Sequence, residues 1–192
     1  MKNFVTLLVL FFSSLAVADD ISDFQIEGIS IGDSALKFFT KNEINKNSFN
    51  YFKDKTYTPV QNNGPLFFKT YDAVDFAYKT NDKKYEIVRL SGILFYDDNI
   101  EFCYPKMEEI IYELKKLFNK SQFTELIVKD HRNDPETNPK KKTKVTDIVG
   151  SLDGGIVHVA CYDYSAKQGS QDHLSVSIKT LEYDNFLVTA YD

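Results

Sequence analysis

The stretch Tyr85-Glu86-Ile87-Val88-Arg89-Leu90-Ser91-Gly92-Ile93-Leu94-Phe95-Tyr96 decides the fold class. β-branched and aromatic residues crowd it, and it carries the strongest strand signal in the sequence. Just upstream, Val74, Phe76 and Tyr78 alternate with Asp75, Ala77 and Lys79, and the polar run 80–84 lies between the two apolar patterns. An antiparallel hairpin is expected, with Gly92 as a bulge.

The C-terminal third repeats the theme. Segments 145–152 and 156–164 flank Asp153-Gly154-Gly155, a strong hairpin turn signal, and a further strand follows at 174–178. Thr180 then caps a last helix carrying Phe186 and Leu187. Between the β regions, Met107, Ile110, Ile111, Leu114, Leu117 and Phe118 fall on one helical stripe, opposite Glu108, Glu109, Glu113, Lys115 and Lys116. Pro105 is placed at the first helical position of this segment, 105–118.

Earlier elements are smaller. Phe24 to Ile26 and Ile29 to Ile31 read as a short strand or extended arm broken at Gly28. Asp33 then caps a helical turn with Leu36 and Phe39 inward, and Thr40-Lys41-Asn42-Glu43 is a capping box for a second turn with Ile44 inward. Segment 47–72 reads as loop, with a short strand at 67–71. Its aromatics Phe49, Tyr51, Phe52 and Tyr57 are candidate binding residues, and folding back onto the core is their alternative role. Segment 129–144, with two prolines and Lys140-Lys141-Lys142, offers a core almost nothing and is expected to be a mobile surface loop.

The sum is an α+β fold. It is expected to hold an antiparallel sheet of about five or six strands, one long amphipathic helix packed on a face, and small N- and C-terminal helices. Strands joined by hairpins leave little room for the helical crossovers of a doubly wound parallel sheet.

Residues 1–18 carry Lys2, an apolar run from Phe4 to Phe12 and the small-x-small ending Ala16-Val17-Ala18, the layout of a secretory signal peptide. That run is too short to cross a bilayer, and no later segment approaches the roughly 20 residues needed. Residues 19–192 are then one exported domain, secreted or periplasmic, with no transmembrane segment. It retains 22 Lys plus Arg against 28 Asp plus Glu, a balance that argues against a nucleic-acid partner. Arginine is confined to Arg89 and Arg132, too few for a multi-arginine anion site. The two cysteines, Cys103 and Cys161, are expected to form a disulfide in an oxidising compartment, with buried free thiols or a reactive pair as the alternatives.

Ile31-Gly32-Asp33-Ser34 resembles the opening block of the GDSL (SGNH) hydrolases, which implies Ser34 as a nucleophile. That family carries its histidine in Asp-x-x-His, yet none of His131, His158 or His173 has Asp three residues before it, and helix capping is the alternative role of Asp33 and Ser34. The longer block from Phe24 to Ser34, read with Ser91-Gly92 and with Leu174-Ser175-Val176-Ser177-Ile178, resembles small exported proteins of marine bacteria with AT-rich genomes. No activity attaches to that group, so the resemblance implies export and transfers no functional residue. A looser likeness links the opening to small envelope lipoproteins that help assemble outer-membrane proteins, although their Met and lipid-bearing Cys are missing here.

No histidine pairs with another at metal-site spacing and no phosphate-binding loop is present, so no metal and no cofactor is expected. The expected function is a non-enzymatic exported module that binds an unknown ligand or an envelope protein. The alternatives are a small hydrolase using Ser34 or the pair Asp97 and Asp98, and an assembly or structural partner of the cell envelope.

Overall fold

The computed structural model describes residues 20–50, 52–63, 68–97, 99–118, 122–132 and 134–190. The signal-peptide reading of residues 1–18 lies outside them. The chain is α+β with a mostly antiparallel sheet, but the expected count of strands and the expected long helix are both corrected. Among the described residues the main sheet has eight strands: β3 Tyr57–Asn62, β4 Ala73–Lys79, β5 Ile87–Phe95, β6 Gln122–Phe123, β7 Ile127–Asp130, β8 Lys144–Leu152, β9 Gly155–Asp163 and β10 His173–Thr180. A separate two-stranded ribbon is formed by β1 Gln25–Ile26 and β2 Ile29–Ser30. The spatial order is β3-β4-β5-β10-β9-β8, and both β6 and β7 pair with the far side of β8.

The added strands lie at the two edges, where strand signals are weakest. β3 contains Pro59, which an edge position tolerates because only one side of the strand must supply the ladder. β6 and β7 are short and interrupted, and they border the polar segment 129–144. That segment is also more structured than a bare loop. The Asp134 carboxylate accepts from the amides of Glu136 and Thr143 and from the Ser165 hydroxyl, while Thr143 is fully buried.

Among the described residues the helices are short: α1 Lys41–Asn47, α2 Cys103–Leu117 and α3 Leu181–Thr189. At 15 residues α2 runs about 22 Å, and it starts two residues before Pro105, which sits in its first turn. A sheet seven positions wide spans roughly 29 Å at about 4.8 Å per strand, whereas one helix is about 10 Å across. One helix therefore covers about two strands, and α2 packs on β9 and β10. The N-terminal segment covers the β3–β5 side instead, with Ile26, Ile29, Ala35, Phe39 and Ile44 buried, while Phe24 packs against Phe118 at the end of α2.

Local chemistry fixes that segment. Glu27 and Gly28 both take left-handed backbone, the signature of a two-residue hairpin turn, so β1 and β2 form a ribbon rather than one broken strand. The cap of the next turn is Ser34, not Asp33: its hydroxyl accepts from the Leu36 amide, and Leu36 points outward while Ala35 and Phe39 point in. Thr40 and Glu43 form the expected capping box of α1, with Ile44 fully buried.

Gly92 is not a bulge. It pairs in register with Val74 and Val176, and the irregularity in β4–β5 falls at Ala77 and Tyr78. What requires glycine is the Tyr71 ring, 2.6 Å from where a Cβ at position 92 would stand. The Glu27 carboxylate holds that ring's segment by accepting from the amides of Lys69, Thr70 and Tyr71. The described part of 67–71 is accordingly a clamped turn and not the expected strand. Gly92→Ala is expected to cost about 1–3 kcal/mol in urea unfolding, and Tyr71→Ala in the same chain should return part of that loss.

Cys103 and Cys161 form a disulfide that joins the first residue of α2 to β9, with both residues buried and their Cα atoms 6.1 Å apart. It closes a separation of 58 residues, for which the chain-entropy treatment gives a stabilisation of about 4 kcal/mol. The Cys103→Ala, Cys161→Ala double variant is expected to lose about 2–4 kcal/mol in guanidinium unfolding, with the native sheet retained by circular dichroism.

Candidate functional site

Beyond α2 the sheet continues uncovered. The helix stands over β9 and β10, so β8 and β7 project past its flank, and the step between them forms a cleft of about 370 Å³. The helix contributes Tyr104, Met107 and Glu108 at positions i, i+3 and i+4, one face of its first two turns. Below lie Thr146 and Lys144 of β8, with Val128 of β7 and Leu126 beside them and Asp163 at the end of β9. Register explains the grouping: Val128 pairs with Thr146 and Lys144 pairs with Asp163, so their side chains share the α2 side of the pleat.

The floor is apolar, made by buried Met107 with Leu126 and Val128, and the rim is charged. Lys144 is engaged by the Asp130 carboxylate. Burial, and then the negative charges of Asp172 and Glu101, push the Asp163 carboxyl above its ordinary range, with Lys144 opposing. Burial and the Asp163 and Glu101 charges push the Tyr104 phenol up as well. The cleft thus has an apolar floor and an end with surplus negative charge, which a cation would relieve.

The residues singled out from sequence lie elsewhere. Phe52 and Tyr57 are buried under α3, Phe52 edge-on to Phe186 at 5.1 Å and Tyr57 edge-on to Tyr183 at 5.0 Å. Phe49 is half-buried beside β3, its amide donating to the Pro59 carbonyl, and Tyr51 lies outside the described residues. Phe49, Phe52 and Tyr57 do not line the cleft. The Ser34 hydroxyl accepts from the Leu36 amide as a helical cap and donates to the Lys84 carbonyl, a tie to the turn before β5. Asp97 accepts from the Gln171 side chain, and Asp98 lies outside the described residues. Among the described residues no group of three or more His, Cys, Asp or Glu is arranged to hold a metal ion. Sequence reasoning missed Leu126 and Val128, although the apolar, partly β-branched run Leu126-Ile127-Val128 was a strand signal.

The opposite face carries a second polar feature. Gln61, Asp75, Ser91, Ser177 and His158 stand opposite one another on successive strands and form a row across the sheet. His158 Nε2 lies 2.8 Å from Asp147 Oδ2, which also accepts from Lys129 Nζ at 2.6 Å. Burial opposes ionisation of Asp147, yet the bonds from His158 and Lys129 hold its carboxyl below the usual range. Asp75 goes the other way: burial pushes it up to about 6, against the pull of the Arg89 guanidinium and a hydrogen bond from Gln61.

Comparison with protein-family models, with curated proteins and with solved structures returned no match.

The raised Asp75 value has a definite sign. The folded chain holds a proton there that the unfolded chain releases near pH 4, so the stability it confers is complete below pH 4 and is lost as pH rises through about 6. Asp75→Asn is therefore expected to be more stable than the parent at pH 7.5, by about 1–3 kcal/mol in urea titrations, with the gap closing toward pH 4.

Proposed function

We propose that this chain is an exported, non-enzymatic binding module whose cleft between α2 and β7–β8 takes an amphipathic ligand with a cationic end. The observation that carries the reading is the pairing of an apolar floor with the surplus negative charge around Asp163 in one half-open cleft. Export is supported by the leader pattern of residues 1–18, by the resemblance to small exported marine bacterial proteins, and by a disulfide of the kind that persists in oxidising compartments. The hydrolase alternative gains no such support, because the Ser34 hydroxyl caps a helical turn and donates its proton to the Lys84 carbonyl rather than to a base.

Octylammonium and octanoate share a tail and differ in charge, so together they test both parts of the cleft. Octylammonium is expected to shift the Met107 methyl resonance and to raise the melting temperature, and octanoate to bind about tenfold more weakly. Asp163→Lys should reverse that preference. Equal responses to the two probes, or a Met107 methyl that neither moves, would overturn the reading.

A further inference from the structure

The two edges of the main sheet are treated differently. Along β3, the chain at 47–49 lies on the outer side: Ser48 bridges to Val60, the Phe49 amide donates to the Pro59 carbonyl, and Asn47 bonds Asn62. Proline in the strand and a covered flank are standard protections against unwanted strand pairing. At the far edge all four residues of β7 are exposed, and Leu126, Ile127 and Val128 are 47%, 48% and 65% exposed in succession.

The hydrogen-bond phase of that edge is readable. The His131 amide donates inward to the Thr143 carbonyl, so alternation along an antiparallel ladder turns the amides and carbonyls of Lys129 and Ile127 inward too. Those of Val128 and Asp130 then point away from β8 toward the open side. A strand added antiparallel to β7 would bond these groups through residues whose side chains lie on the same side of the pleat as Val128. That side is the cleft.

We propose that β7 accepts an extended segment of another polypeptide as an added antiparallel strand, its α2-facing side chains being apolar with one basic residue opposite Asp130, at the outer end of the row Asp163, Lys144, Asp130. The inference rests on the cleft being the binding site and adds the chemical class of the partner. Backbone bonding to β7 supplies affinity, and the cleft supplies selection, the division of labour found wherever an edge strand is extended by a peptide. The basic residue follows from that row, in which two carboxylates, Asp163 and Asp130, share the single ammonium of Lys144.

Three end-blocked heptapeptides test this: Thr-Val-Thr-Lys-Thr-Val-Thr, the same peptide N-methylated at its Val and Lys amides, and a version with Glu in place of Lys. The first is expected to displace octylammonium and to slow amide hydrogen exchange at Val128 and Asp130 by about tenfold or more. The N-methylated and Glu versions should each bind about tenfold more weakly. Asp130→Pro, which removes one outward amide, should weaken the first peptide, and the comparison of peptides on the unaltered chain decides the matter if that variant does not fold. Equal binding of the N-methylated peptide, or unchanged exchange at Val128 and Asp130, would overturn strand addition while leaving the cleft reading intact. Failure of octylammonium to bind would instead remove the cleft. Concentration-dependent protection of the same amides without peptide, with a dimer in sedimentation, would assign the edge to a second copy of the chain and overturn the proposal.

Discussion

The seat of α2 on β9 and β10 is the constraint from which the rest follows. A single helix covers about two strands, so on a sheet this wide its position decides what is hidden and what projects. The Cys103–Cys161 bond fixes that position at the first residue of the helix, and the stripe from Met107 to Phe118 continues the attachment along its length. With the helix held there, Tyr104 and Glu108 have to stand above β8, and the two outermost strand positions are left beyond its flank. The cleft results from mismatch in width, stabilised by a covalent tie, and needs no specialised loop.

The other face is organised by different means. α3 packs Tyr183 and Phe186 against Tyr57, Ala77 and Val88, a small aromatic cluster separate from the main core. This leaves the middle of the face to small polar side chains, Ser91, Ser175 and Ser177, all nearly buried. Burying hydroxyls and a carboxyl opposes folding unless each finds a partner, and Asp75 shows the consequence in its raised protonation range. The main core, rather than this polar row, must therefore supply most of the favourable free energy.

Legibility in the sequence tracked how strongly each segment was constrained by burial. β4, β5, β8, β9 and β10 are buried through most of their length and announced themselves as apolar runs bounded by turns such as Asp153-Gly154. The α2 stripe was readable from its 3.6-residue period, yet its extent relative to the sheet was not, because helix length in sequence says nothing of sheet width. β3 was obscured by Pro59, which argues against a central strand but is silent about an edge. β6, at two residues, is too short to show a period, and the apolar run that marks β7 carries no alternation because no face of that strand is buried. The loop aromatics misled for a related reason: Phe52 and Tyr57 belong to a core on the far side of the sheet, and nothing local in 47–62 shows that α3 returns from the other end of the chain to cover them.

The candidate site drew its residues from four elements, which is why no motif revealed it. Met107 reads as core, Val128 as surface, and Asp163 and Lys144 as strand ends; only the register of β7, β8 and β9 places them on one side of the pleat. The asymmetry of the edges gives this arrangement its meaning. A chain that covers β3 with its own residues 47–49 has the means to protect an edge, and the same chain leaves β7 with outward amides and three successive exposed apolar side chains. An unprotected edge next to a cleft whose negative charge is only partly balanced forms one continuous surface, where backbone pairing and side-chain selection act on a single incoming strand.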